Sequence, residues 1–103
     1  MPRWLPRVLR RIRGLAAALQ VLFTLKARRE LAALELGLDE EDACDLLAEL
    51  AAEDTAGRLA SAATGEWMYV FKPALAGVVL YVKLILRKDC IVVSFHEDEG
   101  DRS

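Results

Sequence analysis

The chain of 103 residues is poor in the residue types that build metal sites and covalent catalysts. It has a single histidine, His96, and two cysteines, Cys44 and Cys90, which form no C-x-x-C pair. One imidazole and two isolated thiols are too few ligands for a typical zinc site. Isolated cysteines are usually reduced thiols in the cytosol. We therefore expect a cytoplasmic protein with no stable metal and no cofactor.

The chain also lacks an apolar run that is long enough to cross a membrane. Its start, MPRWLPRVLRRIRGLAAALQVLF, is basic and then apolar like a signal peptide, but Gln20 interrupts the apolar part. No clear small-residue cleavage site follows before Lys26. We expect no membrane partner, and a basic amphipathic helix lying on a membrane surface is the alternative.

Whole segments lack charges of one sign, although the net charge is only −2. Residues 1–29 carry eight Lys or Arg and no acid, whereas residues 30–56 carry ten acids and no base. Such blocks suggest separate surfaces for separate partners. Two solvated helices of opposite charge explain the same pattern equally well.

Length and composition predict one folded domain over residues 1–97 and an acidic, disordered tail over residues 98–103. Helical periodicity precedes strand periodicity, which predicts an α+β fold with N-terminal helices packed on a C-terminal antiparallel sheet. Gly37 is expected to end the second helix and Asp39 to cap the third. The expected helices cover residues 6–19 and 25–36 and a segment from residue 40 onward. The expected strands cover residues 21–24, 66–72, 77–87 and 90–97.

The last two expected strands are predicted to form a hairpin whose turn is residues 88–89. Pairing Val82 with Phe95, and Leu86 with Ile91, keeps the apolar side chains together on one face. A slip of one residue would place Leu and Val opposite polar side chains, so burial favours this register or one shifted by two residues.

In this register Tyr81 lies opposite His96, and Lys83 lies opposite Ser94. A phenol, an ammonium and an imidazole therefore gather on the outer face of the hairpin. An imidazole transfers protons at neutral pH, and Lys83 and Arg87 are suited to hold a phosphate. An ordinary polar solvent face is the alternative interpretation of the same residues.

Two segments, LELGLDEEDACDLLAEL and EWMYVFKPALAGVVLYVKLILRKDCIVVSFHEDE, resemble the motility quorum-sensing regulator (MqsR) family of toxins from bacterial toxin–antitoxin pairs. The resemblance covers roughly residues 20–97, with nearly unchanged spacing. The matching positions are Leu36, Gly37, Leu38, Asp39, Cys44, Trp67, Lys72, Pro73, Gly77, Tyr81, Lys83, Asp89 and residues 92–95.

The resemblance implies a RelE-like α+β fold and a metal-independent endoribonuclease that cleaves messenger RNA. The 2′-hydroxyl of the RNA would attack the neighbouring phosphate, assisted by a base, by cations and by an acid for the leaving oxygen. It also implies neutralisation by a cognate antitoxin. A non-catalytic module of the same fold, whose sheet edge pairs with an antitoxin strand, is the second interpretation.

The family's hairpin tyrosine matches Tyr81, and its lysine after Ser-Phe in the last strand falls on His96. Its glutamine after the strand-opening tryptophan falls on Met68, and a further family lysine falls on Gly57, with Arg58 next to it. The basic first helix would suit either RNA or an acidic antitoxin segment. The resulting candidates are Tyr81 and His96 for catalysis, and Lys83, Arg58 and Arg87 for the RNA phosphates.

Overall fold

Three α-helices and one six-stranded sheet form the computed structural model, which describes residues 1–100. The helices are α1 (Leu5–Ala17), α2 (Leu25–Ala33) and α3 (Glu40–Ala48). The strands are β1 (Val21–Phe23), β2 (Thr55–Ala60), β3 (Trp67–Phe71), β4 (Ala74–Leu75), β5 (Val78–Leu86) and β6 (Cys90–Glu97). The helices precede most of the sheet and pack on it, so the predicted α+β class is confirmed.

The sheet is mixed, whereas the sequence predicted an antiparallel sheet. Its strand order is β1-β6-β5-β3-β2, and β4 pairs with β5 beside this path. β1 runs parallel to β6, and the other pairs are antiparallel. The parallel pair joins segments from opposite ends of the chain, which hydrophobic periodicity alone does not bring together.

Helix α1 buries the apolar stripe that its sequence predicted, because Leu5, Leu9 and Ile12 recur at helical spacing. Pro6 lies in its first turn, where a missing N–H costs no hydrogen bond. The arginines stay on its outer face, and Arg13 Nε donates a hydrogen bond of 2.6 Å to the Leu50 carbonyl. This contact joins the basic helix to the residues that follow α3.

The segment between α2 and α3 differs from the prediction at one end and agrees with it at the other. α2 ends at Ala33, and Glu35 takes the left-handed backbone with φ of 57°, so Gly37 is not its cap. Asp39 does cap α3: its carboxylate accepts from Asp42 N at 2.7 Å, and Asp42 accepts in return from Asp39 N. This reciprocal pair satisfies two backbone donors at the start of the helix.

Strand β2 was not predicted from the sequence. Its residues, TAGRLA, are rich in Ala and Gly, which have low intrinsic preference for strands. The strand forms because it pairs with the aromatic-rich β3. The register runs from Thr55 opposite Phe71 to Ala60 opposite Trp67, with a shift near Gly57. Pairing with β3 therefore stabilises a strand that the local sequence alone does not favour.

A β-bulge at Val93 divides the β5–β6 hairpin into two registers. From Lys83 outward the pairing is the predicted one, with Val82 opposite Phe95. On the turn side Leu84 pairs with Val92, so the predicted pairing of that half is wrong. Val93 is the extra residue on β6, and an extra residue reverses the alternation of side chains beyond it.

The turn end of the hairpin changes accordingly. Leu86 pairs with Cys90 instead of Ile91, and the connection contains three residues, Arg87 to Asp89, instead of two. Arg87 N donates to the Asp89 carbonyl at 3.0 Å and closes the loop. Cys90 is fully buried, and both cysteines are free thiols with raised pKa values, because burial disfavours the thiolate.

Helix α2 covers the edge of β6 beyond the point where β1 ends. Thr24, the N-cap of α2, donates from its backbone N to the Val92 carbonyl at 3.1 Å. Six residues later the Glu30 carboxylate accepts from Phe95 N at 3.0 Å and from Lys26 Nζ at 2.9 Å. The Glu30 side chain thus accepts the hydrogen bond of a β6 backbone N–H that could otherwise pair with a strand of another chain.

The boundary of the predicted tail is tied to the sheet. Asp98 N donates to the Val79 carbonyl at 2.8 Å, and the Asp98 carboxylate lies 3.4 Å from Lys72 Nζ. The last residues of that tail, 101–103, lie outside the described residues. Over residues 1–100, no helix has the length and apolar character needed to cross a membrane.

The Glu30 contact predicts a pH-dependent contribution to stability. Burial alone would raise the pKa of Glu30, but its hydrogen bonds to Phe95 N and Lys26 outweigh this and lower it. Stabilisation by the charged form is therefore present above the ordinary carboxyl pKa and is lost as pH falls through the lowered value. We expect Glu30→Gln to lower the free energy of unfolding by about 1 kcal/mol near neutral pH.

Urea denaturation of Glu30→Gln and the parent protein, repeated from about pH 7 down to about pH 3, measures this difference. It should shrink as the pH falls, because protonation removes the negative charge of the parent side chain. Glu35→Gln, which removes an exposed carboxylate, is the matched control. A difference that does not change with pH would contradict a charge-based role for Glu30.

Candidate functional site

The candidate site lies on the face of the sheet that is turned away from the core. Leu80, Val82 and Leu84 are fully buried in the cluster that α1 and α3 share. Because strand side chains alternate, Tyr81 and Lys83 point to the opposite face. Both are partly exposed. The sequence placed these side chains on the outer face of the hairpin, and the structure confirms that placement.

Tyr81 and His96 form a stacked pair. They are directly opposed in the register, their ring centroids are 5.0 Å apart, and the ring planes differ by 13°. His96 reaches this face because of the bulge at Val93. Cys90 and Val92 are buried on the helix side, and an uninterrupted alternation would have sent His96 there as well.

A hydrogen bond fixes the tautomer of His96. Its Nδ1 lies 2.8 Å from the Glu97 carbonyl oxygen. A carbonyl oxygen can only accept, so Nδ1 carries the proton and donates it. In the neutral ring Nε2 then holds the free lone pair and is available as a proton acceptor.

Lys83 lies in the next row of the sheet, beside the stacked pair. It is opposed by Ser94, which is only 2% exposed and accepts a hydrogen bond of 3.0 Å from Lys26 Nζ. The ion pairs within residues 1–100 use Lys26, Arg28, Lys72 and Arg87, so Lys83 has no carboxylate partner there. A second ammonium, that of Lys26, thus lies near a Lys83 that is free to bind an anion.

Lys26 was not predicted as a member of this site. It belongs to α2, and it comes near Lys83 only because β1 pairs in parallel with β6 and leads α2 along the β6 edge. No local pattern in the sequence signals that pairing.

An acidic cavity of about 720 Å³ adjoins His96 on the α2 side. Besides His96, its lining residues are Glu30, Ala33, Leu34, Glu97, Asp98 and Glu99. Glu30 and Asp98 are paired with lysines, whereas Glu97 and Glu99 add negative charge. A phosphate is repelled from this side, so the favourable position for one is over Lys83.

The rest of the uncovered face is apolar. Directly opposed side chains form one row across five strands: Leu22, Ile91, Ile85, Met68 and Leu59. The end members Leu22 and Leu59 are 54% and 52% exposed. Such an exposed row is typical of a surface that contacts another molecule.

Two positions that the family resemblance assigned to polar active-site residues lie on this face. Met68 is part of the apolar row, and Gly57 lies in the row of Lys83, opposite Val70. Gly57 has φ of +102°, a backbone conformation that side chains other than glycine's rarely adopt. The uncovered face therefore has no cation at the Gly57 position.

Arg58 and Arg87 are not part of this group. Arg58 is opposed by Tyr69 and shares the helix side of the sheet, where its guanidinium lies 3.8 Å from the ring centroid of Trp67. Arg87, at the turn end of the hairpin, binds the Glu66 carboxylate through two hydrogen bonds of 2.9 and 2.7 Å. This pairing lowers the pKa of Glu66 to about 2. The structure brings together Tyr81, His96 and Lys83, and separates the two arginines from them.

No cluster of three or more His, Cys, Asp or Glu within residues 1–100 is arranged to hold a metal ion. The polar side chains described on or beside the uncovered face are those of Tyr81, His96, Lys83, Ser94 and Lys26.

Comparison with known proteins defines the class. The family model described as "Motility quorum-sensing regulator, toxin of MqsA" matches residues 7–97. The chain is therefore a toxin of a toxin–antitoxin system. It belongs to the MqsR toxin family, as the sequence resemblance indicated. No curated protein matches the chain in sequence.

The tautomer of His96 is directly testable, because the chain contains no other histidine. In a two-dimensional ¹H–¹⁵N spectrum of the imidazole, recorded on untagged protein at a pH where the ring is neutral, we expect Nδ1 to be protonated and Nε2 to be bare. The hydrogen bond to the Glu97 carbonyl is the reason. A dominant Nε2–H form would contradict this geometry.

Proposed function

We propose that this toxin is an endoribonuclease that cleaves messenger RNA and is neutralised by a cognate antitoxin. The observation that supports it most strongly is the stacked Tyr81–His96 pair beside an unpaired Lys83 on an uncovered sheet face. These residues supply a proton acceptor, a proton donor and a cation within one short stretch of surface. That set matches the needs of phosphodiester cleavage by an internal hydroxyl.

In the proposed reaction His96 Nε2 accepts the proton of the RNA 2′-hydroxyl. The resulting alkoxide attacks the adjacent phosphorus and expels the 5′-oxygen of the next nucleotide. The products are a 2′,3′-cyclic phosphate and a 5′-hydroxyl, so this step consumes no water. The fixed Nδ1–H tautomer keeps Nε2 in the accepting form.

Lys83 binds the phosphate and offsets the negative charge that grows on its oxygens in the transition state. Lys26, hydrogen-bonded to Ser94 beside it, contributes less to this charge, because its ammonium is already paired with Glu30 at 2.9 Å. The carboxylates on the far side of His96 keep the phosphate over Lys83. Charge on both sides of the imidazole therefore favours one placement of the RNA backbone.

Tyr81 orients His96 and donates a proton in the proposed reaction. Its ring packs flat on the imidazole and so restricts the orientation of His96. Its hydroxyl donates to the phosphate or to the leaving 5′-oxygen, which needs a proton as the bond breaks. The proposed site of action is the cytoplasm, where messenger RNA is translated.

A second function has one observation in its favour. The apolar row from Leu22 to Leu59, together with the unpaired outer edge of β2, suits contact with another protein. A chain with only this role would be a non-catalytic antitoxin-binding module. It would retain the fold and would not cut RNA.

The cleavage assay separates the two functions. We expect purified protein, incubated with a defined messenger RNA in the presence of chelator, to give fragments ending in 2′,3′-cyclic phosphate. His96→Ala should lower the rate by about a hundredfold or more, and Tyr81→Phe by about tenfold, since each removes a proton-transfer group.

Lys83→Ala should also slow the reaction, whereas Lys88→Ala, at the turn of the same hairpin, removes the same charge away from the site. Thermal unfolding confirms that each variant is folded. No cleavage by the parent protein, even with ribosomes added, would remove the catalytic assignment and support the binding module.

A further inference from the structure

A second polar surface lies on the helix side of the sheet and contains both tryptophans of the chain. The guanidinium of Arg58 is held between two indole rings, 3.8 Å from the centroid of Trp67 and 5.0 Å from that of Trp4. Trp4 also contacts Tyr69, with centroids 5.4 Å apart. We call this group, Trp67–Arg58–Trp4–Tyr69, the aromatic–arginine stack.

The stack is open to solvent at its outer end, where Trp67 is 44% exposed. Sandwiching between aromatic faces holds a guanidinium in a fixed plane through cation–π contact. Its N–H donors at the rim then remain available to a planar or tetrahedral anion. A fixed guanidinium loses less conformational entropy on binding than a flexible one.

A groove of about 400 Å³ begins at the other end of the stack. Trp4 and Tyr69 form its aromatic wall, and Arg7 and Arg11 of α1 stand over it. A side-chain N–H of Arg11 donates to the Arg87 carbonyl, which fixes Arg11 without neutralising it. Flat rings and guanidinium groups therefore alternate along one continuous surface.

The charge of this surface is not compensated within residues 1–100. None of the ion pairs there uses Arg58, Arg7 or Arg11. Glu66, which neighbours Trp67 in sequence, is already paired with Arg87. Residues 1–29 contain no acid at all. The surface is thus a positively charged groove with aromatic walls.

We propose that the aromatic–arginine stack and the groove of Arg7 and Arg11 form a binding surface for single-stranded RNA. The arginines would contact successive phosphates, and the open ring of Trp67 would stack on a base. Single-strand binding surfaces in general combine a basic groove with aromatic side chains, because every base has a flat face. An acidic protein segment would use the charges but has no need of the exposed ring.

This surface lies on the opposite side of the sheet from His96, and β2 is the edge between them. RNA bound at both places would pass over that edge. The inference rests on the proposed RNA substrate, but it concerns binding and not cleavage. Trp4 precedes residues 7–97, the part of the chain that the family model matches.

The test measures binding in protein that carries Tyr81→Phe and His96→Ala, so that RNA is not cut. The probe is an oligoadenylate of about 12 nucleotides, the length of a typical single-strand site. Because both tryptophans belong to the stack, its binding should quench the intrinsic tryptophan fluorescence. An abasic oligomer of the same length should bind more weakly and quench less.

Anisotropy of a labelled oligoadenylate then maps the surface. Trp67→Ala and Arg58→Lys should each weaken binding by about tenfold, and Trp67→Phe should restore most of the affinity. Arg7→Gln should weaken binding and lower the slope of log affinity against log salt by about 0.7. Arg29→Gln, an exposed arginine of α2 outside the groove, is the charge-matched control and should change affinity by less than about twofold.

The inference would be overturned if Arg7→Gln and Arg29→Gln lost equal amounts of RNA affinity. It would also be overturned if Trp67→Ala and Arg58→Lys bound RNA as tightly as the parent protein. The third contrary result is displacement of the RNA by oligoglutamate of equal charge as effectively as by unlabelled RNA. Oligonucleotide binding that maps to the stack in a protein that never cuts RNA would support this surface and remove the proposed cleavage. Cleavage by the parent protein, together with unchanged oligoadenylate affinity in Trp67→Ala and Arg58→Lys, would support the proposed cleavage and overturn this surface.

Discussion

One extra residue in β6, Val93, determines what the uncovered face of the sheet presents. On its turn side Cys90 and Val92 are packed into the core, and beyond it Phe95 is packed there while His96 points outward. Without the bulge the same alternation would bury an imidazole and expose a phenylalanine ring. This single extra residue allows β6 to bury the apolar side chains on both sides of the bulge and still expose its histidine. The stacking on Tyr81 follows from it.

Helix α2 then keeps the bulged strand in place. β1 pairs with β6 only as far as Val92, and beyond that point side chains of α2 replace a neighbouring strand. Glu30 accepts from the backbone of Phe95, and Lys26 bridges Glu30 and Ser94. The same two residues also place an ion pair beside the candidate site, whereas Glu97 and Glu99 supply the negative charge beyond His96. Packing and electrostatics of the site depend on one short helix.

Periodicity in the sequence was sufficient to predict α1, the Asp39 cap and the half of the hairpin that carries Tyr81, Lys83 and His96. It was not sufficient on the turn side of Val93, because the segment around this bulge contains no glycine that would mark it. It also missed β2, whose Ala and Gly residues form a strand only against β3. Arg58 was expected to replace a family lysine at the neighbouring position Gly57. Adjacent residues of a strand face opposite ways, and Arg58 accordingly joins Trp67 and Trp4 on the other side.

Gly57 has a further consequence for how this site relates to others in its family. Its backbone, at φ of +102°, resists any residue that has a Cβ atom, although nothing lies within 4 Å of where that atom would be. The obstacle to a lysine there is thus local chain conformation and not lack of room, and it amounts to roughly 1–2 kcal/mol or more. Gly57→Lys would therefore strain the edge strand before it could place an ammonium in the row of Lys83.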